Sequence, residues 1–173
     1  MSTLSLIAGY PDDLVAAAEA LVASGRALDA IAERYPERHR VQSNKELALY
    51  VQGLKARHLK GTPQLKSVTY DKRLRSAHKA LGLHTTKRRV HGASLRTTRE
   101  LKVASVFREA PSAFLRAIVV HELAHQKHAD HDEAFYRLCC HMESDYHQLE
   151  FDLRIWLSAL DARRETPPDT PAP

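Results

Sequence analysis

The segment from Ala117 to Phe135 contains four histidines among aliphatic and acidic residues. Two of them, His121 and His125, are four residues apart, so on a helix they lie on one face, one turn apart. Two imidazoles at this spacing can bind one metal ion. Glu122 lies at the rim of the same face, where a carboxylate can accept a proton from water activated by the ion. The His-Glu-x-x-His pattern therefore predicts a metal site with a general base.

A third ligand is needed, and two histidines are available. His128 lies one turn after His125 on the same helical face, whereas His131 reaches the metal only if the helix breaks near Ala129-Asp130. Asp130 and Asp132 are suitable caps for such a break and restart. A ligand that approaches from outside the helix completes a tetrahedron better than a third stacked residue, so His131 is favoured over His128.

Zinc is the expected cofactor, because three imidazoles with one open position suit this ion. In that arrangement His121, His125 and His131 bind Zn²⁺, and Glu122 acts as the catalytic base. Asp130 or Asp132 could also hydrogen-bond a ligand histidine, although helix capping explains them equally well.

Hydrophobic periodicity and punctuation by glycine and proline predict a mixed helix and strand architecture. Ser43 and Glu46 have the spacing of a capping box at the start of one helix. The strand near 100–107 is predicted to close a hairpin whose first strand includes residues 91–95. Helices are predicted over 11–24, 26–35, 43–59, 72–82, 112–128, 132–144 and 147–161, and strands over 65–71 and 100–107.

Composition excludes several classes of protein. The chain has 173 residues, enough for about one domain, and no apolar run long enough to span a bilayer. Its two cysteines, Cys139 and Cys140, are adjacent and cannot form the framework of a secreted protein. No signal peptide is predicted at the start. A reducing, cytoplasmic location is therefore expected.

Positive charge is concentrated in one region. The net charge is +5, and the segment from Gly53 to Arg108 carries 15 Lys and Arg against Asp71 and Glu100 alone. Such a region can contact DNA or another polyanion, or it can be a solvated basic face.

The sequence HELAHQKHADHDEAF resembles the signature of the YgjP-like and SprT-like zinc metallopeptidases. In that signature a His follows the His-Glu-x-x-His element after five residues, and a Phe follows after three more, which places His131 and Phe135 in the pattern. The resemblance covers about residues 65–160. It implies an α+β, zincin-like fold in which a small antiparallel sheet packs on the motif helix, with additional N-terminal helices.

The resemblance also implies a division of the chain. Residues 1–62 are expected to form an N-terminal helical region and 63–162 the metallopeptidase domain, whereas the proline-rich residues 163–173 are expected to be disordered. The implied activity is hydrolysis of a polypeptide substrate, with His91, His141, Tyr146 and His147 as candidates for stabilising the oxyanion.

Two other functions remain open. The first is a nucleic-acid-associated SprT-like protein that uses the basic region 53–108, since relatives of this kind include proteases acting on DNA-linked proteins. The second is a zinc-stabilised binding domain without turnover. The sequence predicts neither the substrate nor the oligomeric state.

Overall fold

The chain is seen in a computed structural model, which describes residues 5–74, 81 and 100–165. Six α-helices and two β-strands lie in these ranges, together with 3₁₀ helices at Ser5–Ile7 and Ser105–Glu109. The α-helices are α1 (Asp12–Ala23), α2 (Ala27–Arg34), α3 (Asn44–His58), α4 (Ser112–Ala124), α5 (Glu133–Met142) and α6 (Tyr146–Glu165), and the strands are β1 (Ser67–Asp71) and β2 (Glu100–Ala104).

The two strands pair in parallel, from Ser67 opposite Glu100 to Asp71 opposite Ala104. The prediction of an antiparallel sheet is therefore wrong. Residues 72–99 connect the strands, and this is long enough for the crossover that a parallel pair requires. The other predicted strand of the hairpin, at 91–95, lies outside the described residues, as does most of the helix predicted at 72–82.

The capping box predicted at the start of α3 is confirmed. The Ser43 side chain accepts a hydrogen bond from the Glu46 backbone N–H at 3.2 Å, and the Glu46 carboxylate accepts one from the Ser43 backbone N–H at 2.9 Å. These bonds satisfy backbone donors that have no partner inside the helix. Hydrogen bonds donated to its carboxylate lower the pKa of Glu46, first from the Gln42 backbone N–H and then from the Ser43 backbone N–H.

We expect Ser43→Ala to lower the free energy of unfolding by about 1 kcal/mol, because one of these donors loses its acceptor. Urea denaturation followed by circular dichroism measures the difference. Ser67→Ala is a suitable control, since Ser67 is the first residue of strand β1 and caps no helix. An equal loss in both variants would contradict the capping role.

Helix α4 is the centre of the fold, and nine of its 13 residues are buried. The ring of Phe114 lies 4.9 Å from that of Tyr35 in the segment after α2 and 5.7 Å from that of Trp156 in α6, measured between centroids. One hydrophobic cluster includes Leu47 of α3, Phe114 of α4 and Leu153 of α6. Helices from both predicted regions therefore share one core with α4, which fixes the helix that carries the motif.

The structure also tests the predicted disordered tail and the absence of a membrane-spanning segment. Helix α6 reaches Glu165, so the first residues of the predicted tail are helical, and residues 166–173 lie outside the described ranges. The division at residue 62 stays a prediction. No helix in the described segments combines the length and the apolar character needed to cross a membrane.

Candidate metal centre

Helix α4 presents His121 and His125 on one face at its C-terminal end. Its last helical residue is Ala124, and the backbone N–H of His125 still bonds to the carbonyl of His121 at 3.3 Å. One turn of helix therefore separates the two imidazoles, and their Nε2 atoms lie 3.2 Å apart.

His131 reaches the same point from the loop after α4. Its Nε2 lies 3.2 Å from Nε2 of His121 and 3.0 Å from Nε2 of His125. The helix breaks before His128, and Asp132 caps α5 by accepting a bond from the Phe135 backbone N–H at 2.9 Å. The loop thus returns the chain to the end of α4. The predicted break and restart is present, but α4 ends at Ala124, earlier than the predicted break near Ala129-Asp130.

The contribution of His128 comes from its backbone. Its carbonyl oxygen lies 2.9 Å from Nδ1 of His125, and the His128 imidazole is not part of the converging group. Since a carbonyl only accepts, Nδ1 of His125 carries the proton. In the neutral ring this leaves the lone pair on Nε2, which faces the other two histidines.

Tyr146, the first residue of α6, is the hydrogen-bonding partner of His121. Its hydroxyl oxygen lies 2.8 Å from Nδ1 of His121 in the buried interior. The bond reaches the nitrogen opposite Nε2, so Tyr146 orients this imidazole and does not face the space where the three Nε2 atoms meet. Its predicted candidacy as an oxyanion stabiliser is not supported by this position.

Removal of this hydroxyl should weaken metal binding. We expect Tyr146→Phe to raise the Kd for zinc by about 10- to 100-fold, the usual range for losing a group that orients a ligand histidine. Competition with a chromophoric chelator measures the Kd. Tyr35→Phe is the matched control, because it removes a hydroxyl bonded to Asp152 at 2.5 Å. Equal weakening in both variants would assign the effect to general destabilisation.

The ring of Phe135 packs against all three imidazoles. Its centroid lies 5.0 Å from that of His121, 4.7 Å from that of His125 and 4.8 Å from that of His131. Phe135 is fully buried, so its ring is a fixed apolar surface against which the three imidazoles pack. Packing on one side and hydrogen bonds to Nδ1 hold His121 and His125 with Nε2 directed inwards.

The electrostatics favour neutral imidazoles at His121 and His131 and a carboxylate at Glu122 that exchanges protons. Burial, followed by the neighbouring His125 and His131, holds the pKa of His121 well below its ordinary value, and burial is also the main cause that lowers the pKa of His131. Burial raises the pKa of Glu122 to about 7. A metal ligand must be unprotonated, and a general base works best with a pKa near the operating pH.

The donor set fits a divalent cation. Tetrahedral coordination with Zn–N bonds of 2.0–2.1 Å separates the nitrogens by about 3.3 Å, and the three Nε2 atoms lie 3.0–3.2 Å apart. Three imidazoles also meet the preference of zinc for nitrogen ligands. Within the described ranges no other group of three His, Cys, Asp or Glu side chains converges in this way.

The other histidines that the sequence suggested are not part of the converging group. His141 contacts His58 at 5.7 Å between ring centroids, and the exposed His147 stacks on Tyr136 at 5.5 Å. His91 lies outside the described residues.

A buried ion pair lies beside the metal centre. The His-Glu-x-x-His motif does not predict it. The Glu150 carboxylate accepts a hydrogen bond from Arg154 at 2.9 Å, and Arg154 also donates to the Leu6 carbonyl at 2.6 Å. Glu150 lines a small cavity together with His121 and Tyr146. The only pattern that could indicate it is the Glu-to-Arg spacing of four residues on one helix.

The comparisons with known proteins agree with this geometry. A family model described as "YgjP-like, metallopeptidase domain" matches residues 17–155. The chain is 48% identical over 160 residues to a protein of Escherichia coli (strain K12) named "UTP pyrophosphatase", an alignment that covers 92% of this chain and 96% of that protein. No solved structure matches significantly.

Proposed function

Because the chain belongs to the YgjP-like metallopeptidase family, we propose that it is a zinc-dependent hydrolase whose substrate is a nucleoside triphosphate. His121, His125 and His131 hold the ion, and Glu122 is the general base. The observation that carries this proposal is the convergence of three Nε2 atoms within 3.0–3.2 Å of one another, with Glu122 next to His121 on the same helix.

The chemistry divides between the ion and the protein. A zinc ion held by the three imidazoles would activate water for attack and polarise the bond that is attacked. Glu122 accepts the proton that the water loses, and its pKa of about 7 allows it to release that proton again. Tyr146 and the His128 carbonyl keep two imidazoles oriented throughout.

The choice of a nucleoside triphosphate rests on the relative and on charge. The E. coli protein named "UTP pyrophosphatase" is aligned over nearly all of both chains. A triphosphate is a polyanion, and the segment from Gly53 to Arg108 carries a large excess of Lys and Arg that attracts such a substrate. The same hydrolytic groups serve acyl and phosphoryl transfer, so the family name does not oppose this substrate.

In the reaction that we propose, UTP and water give UMP and diphosphate. The water oxygen forms a bond to the α-phosphorus while the bond from this phosphorus to the bridging oxygen breaks. The bridging oxygen leaves with the diphosphate, and Glu122 takes the proton.

Phosphorus NMR of the zinc-loaded protein with UTP tests this reaction directly. We expect UMP and diphosphate as products, and in ¹⁸O-labelled water the label should enter UMP. Release of orthophosphate, or no turnover of UTP, would overturn the proposed substrate. Glu122→Gln serves as the background control for contaminating phosphatases.

Hydrolysis of a peptide bond is the second candidate. It is favoured by the family description and by one feature of the sheet: within the described residues β2 pairs with β1 alone, so its second edge has no strand partner there. An extended peptide can add to such an edge as a further strand. Cleavage of unfolded casein by wild type and not by Glu122→Gln would support this candidate.

Binding of DNA through the basic region 53–108 and a cytoplasmic location stay predictions. The residues Lys87, Arg88 and Arg89, at the centre of that region, lie outside the described ranges.

A further inference from the structure

A row of aromatic rings leads away from the metal centre across α5 and α6. The ring of Tyr136 lies 6.4 Å from that of His131, and the ring of His147 lies 5.5 Å further on, stacked on Tyr136 with 29° between their planes. The row thus begins at His131, a proposed zinc ligand, and ends at His147, with one ring between them.

Tyr136, in the middle of this row, is held by neighbouring rings, whereas His147 at its end is exposed to solvent. Phe135 contacts Tyr136 edge to face at 5.3 Å and 90°, and the ring of Tyr146 lies 6.3 Å from it. Tyr136 is half-buried by these contacts, whereas His147 is exposed. The stacked pair of Tyr136 and His147, which we name the ring pair, therefore offers flat aromatic surface beside the site.

We propose that the ring pair is the subsite on which the base of the nucleotide stacks. This inference rests on the proposed function and deepens it by locating the part of the substrate that is not hydrolysed. Bases stack on Tyr and His rings because every base has a flat π-face. In a nucleotide the ribose separates the base from the phosphates, so the base must lie beside the metal centre and not in it, as the ring pair does.

The position of the other candidate rings favours this choice. Phe135 lies under the three imidazoles and is fully buried, and Tyr146 is held by His121. Neither offers a face to a substrate. The imidazole of His141 packs edge to face against that of His58, in a ring contact separate from the row that starts at His131. Only the ring pair combines proximity to His131 with exposure in the described part of the chain.

Comparison of UTP with inorganic triphosphate, which has no base, isolates the subsite. We expect His147→Ala and Tyr136→Leu to lower the ratio of kcat/KM for UTP to that for inorganic triphosphate by about five- to a hundred-fold, the range for losing one stacked base. His147→Phe and Tyr136→Phe keep a ring and should retain the ratio. His141→Ala, an exposed histidine of α5, is the matched control. An unchanged ratio in both ring-deleting variants would overturn the proposal.

Binding of UMP by calorimetry separates this proposal from the proposed function. UMP carries the base, so its affinity for the zinc-loaded protein should fall in His147→Ala and persist in His147→Phe. If UTP is not hydrolysed but UMP binding depends on the ring, the proposed reaction fails and the subsite stands. If UTP is hydrolysed but UMP binds equally to wild type and His147→Ala, or does not bind to wild type, the subsite is overturned and the reaction stands.

Discussion

Replacing Glu122 with glutamine should lower kcat for UTP by about 10³-fold while zinc stays bound, since loss of a general base costs about 10²- to 10⁴-fold. Glutamine has nearly the same shape as glutamate but cannot accept the proton of the attacking water. The Nδ1 atoms of His121 and His125 bond to the Tyr146 hydroxyl and to the His128 carbonyl, and neither bond involves the Glu122 carboxylate. Steady-state kinetics and metal analysis on the same preparation measure both quantities.

The matched control is Glu133→Gln, which removes a carboxylate from an exposed position on α5, where it pairs with Arg137 at 2.5 Å. This variant should behave as wild type. The role of Glu122 as base would be refuted by a Glu122→Gln protein that hydrolyses UTP at the wild-type rate. Loss of zinc together with activity would instead assign Glu122 to metal binding.

The second large effect is on the metal itself. We expect His131→Ala to raise the Kd for zinc by at least about 100-fold, the upper end of what losing an orienting group costs, because a ligand is lost outright. His128→Ala should retain the wild-type Kd, since His128 contributes its carbonyl oxygen to Nδ1 of His125 and its side chain is not part of the converging group. Competition with a chromophoric chelator at fixed pH gives both values.

This pair of variants is informative because the two histidines are three residues apart in one loop. Equal loss of zinc in both would show that the loop conformation and not the ligand was damaged. Loss in His128→Ala alone would contradict the geometry of the site. Removal of zinc from wild type by a chelator should reproduce the inactivity of His131→Ala and should be reversed by added zinc.

The parts of the site that follow from local chemistry could be predicted from the sequence. The spacing of His121 and His125 is a property of one helical turn. Because Asp132 is a good cap, the break before His131 could also be predicted, and the structure has Asp132 in that role. The capping box of Ser43 and Glu46 is another local pattern that the structure confirms.

The parts that depend on distant segments could not be predicted. The parallel pairing of β1 and β2 depends on the path of residues 72–99, and strand composition does not specify direction. The bond from Tyr146 to His121 links residues 25 positions apart and requires α6 to pack beside α4. A tyrosine at a helix start has no periodicity that would indicate such a partner.

The bond between Nδ1 of His125 and the carbonyl of His128 affects how the loop between His125 and His131 can vary among homologous proteins. A point mutation changes a side chain but leaves the peptide oxygen in place, so residues 126–130 are free to drift in identity. An insertion or deletion, in contrast, would move that oxygen and His131 together. Natural variation here should therefore conserve the number of residues between His125 and His131 more strictly than their chemistry.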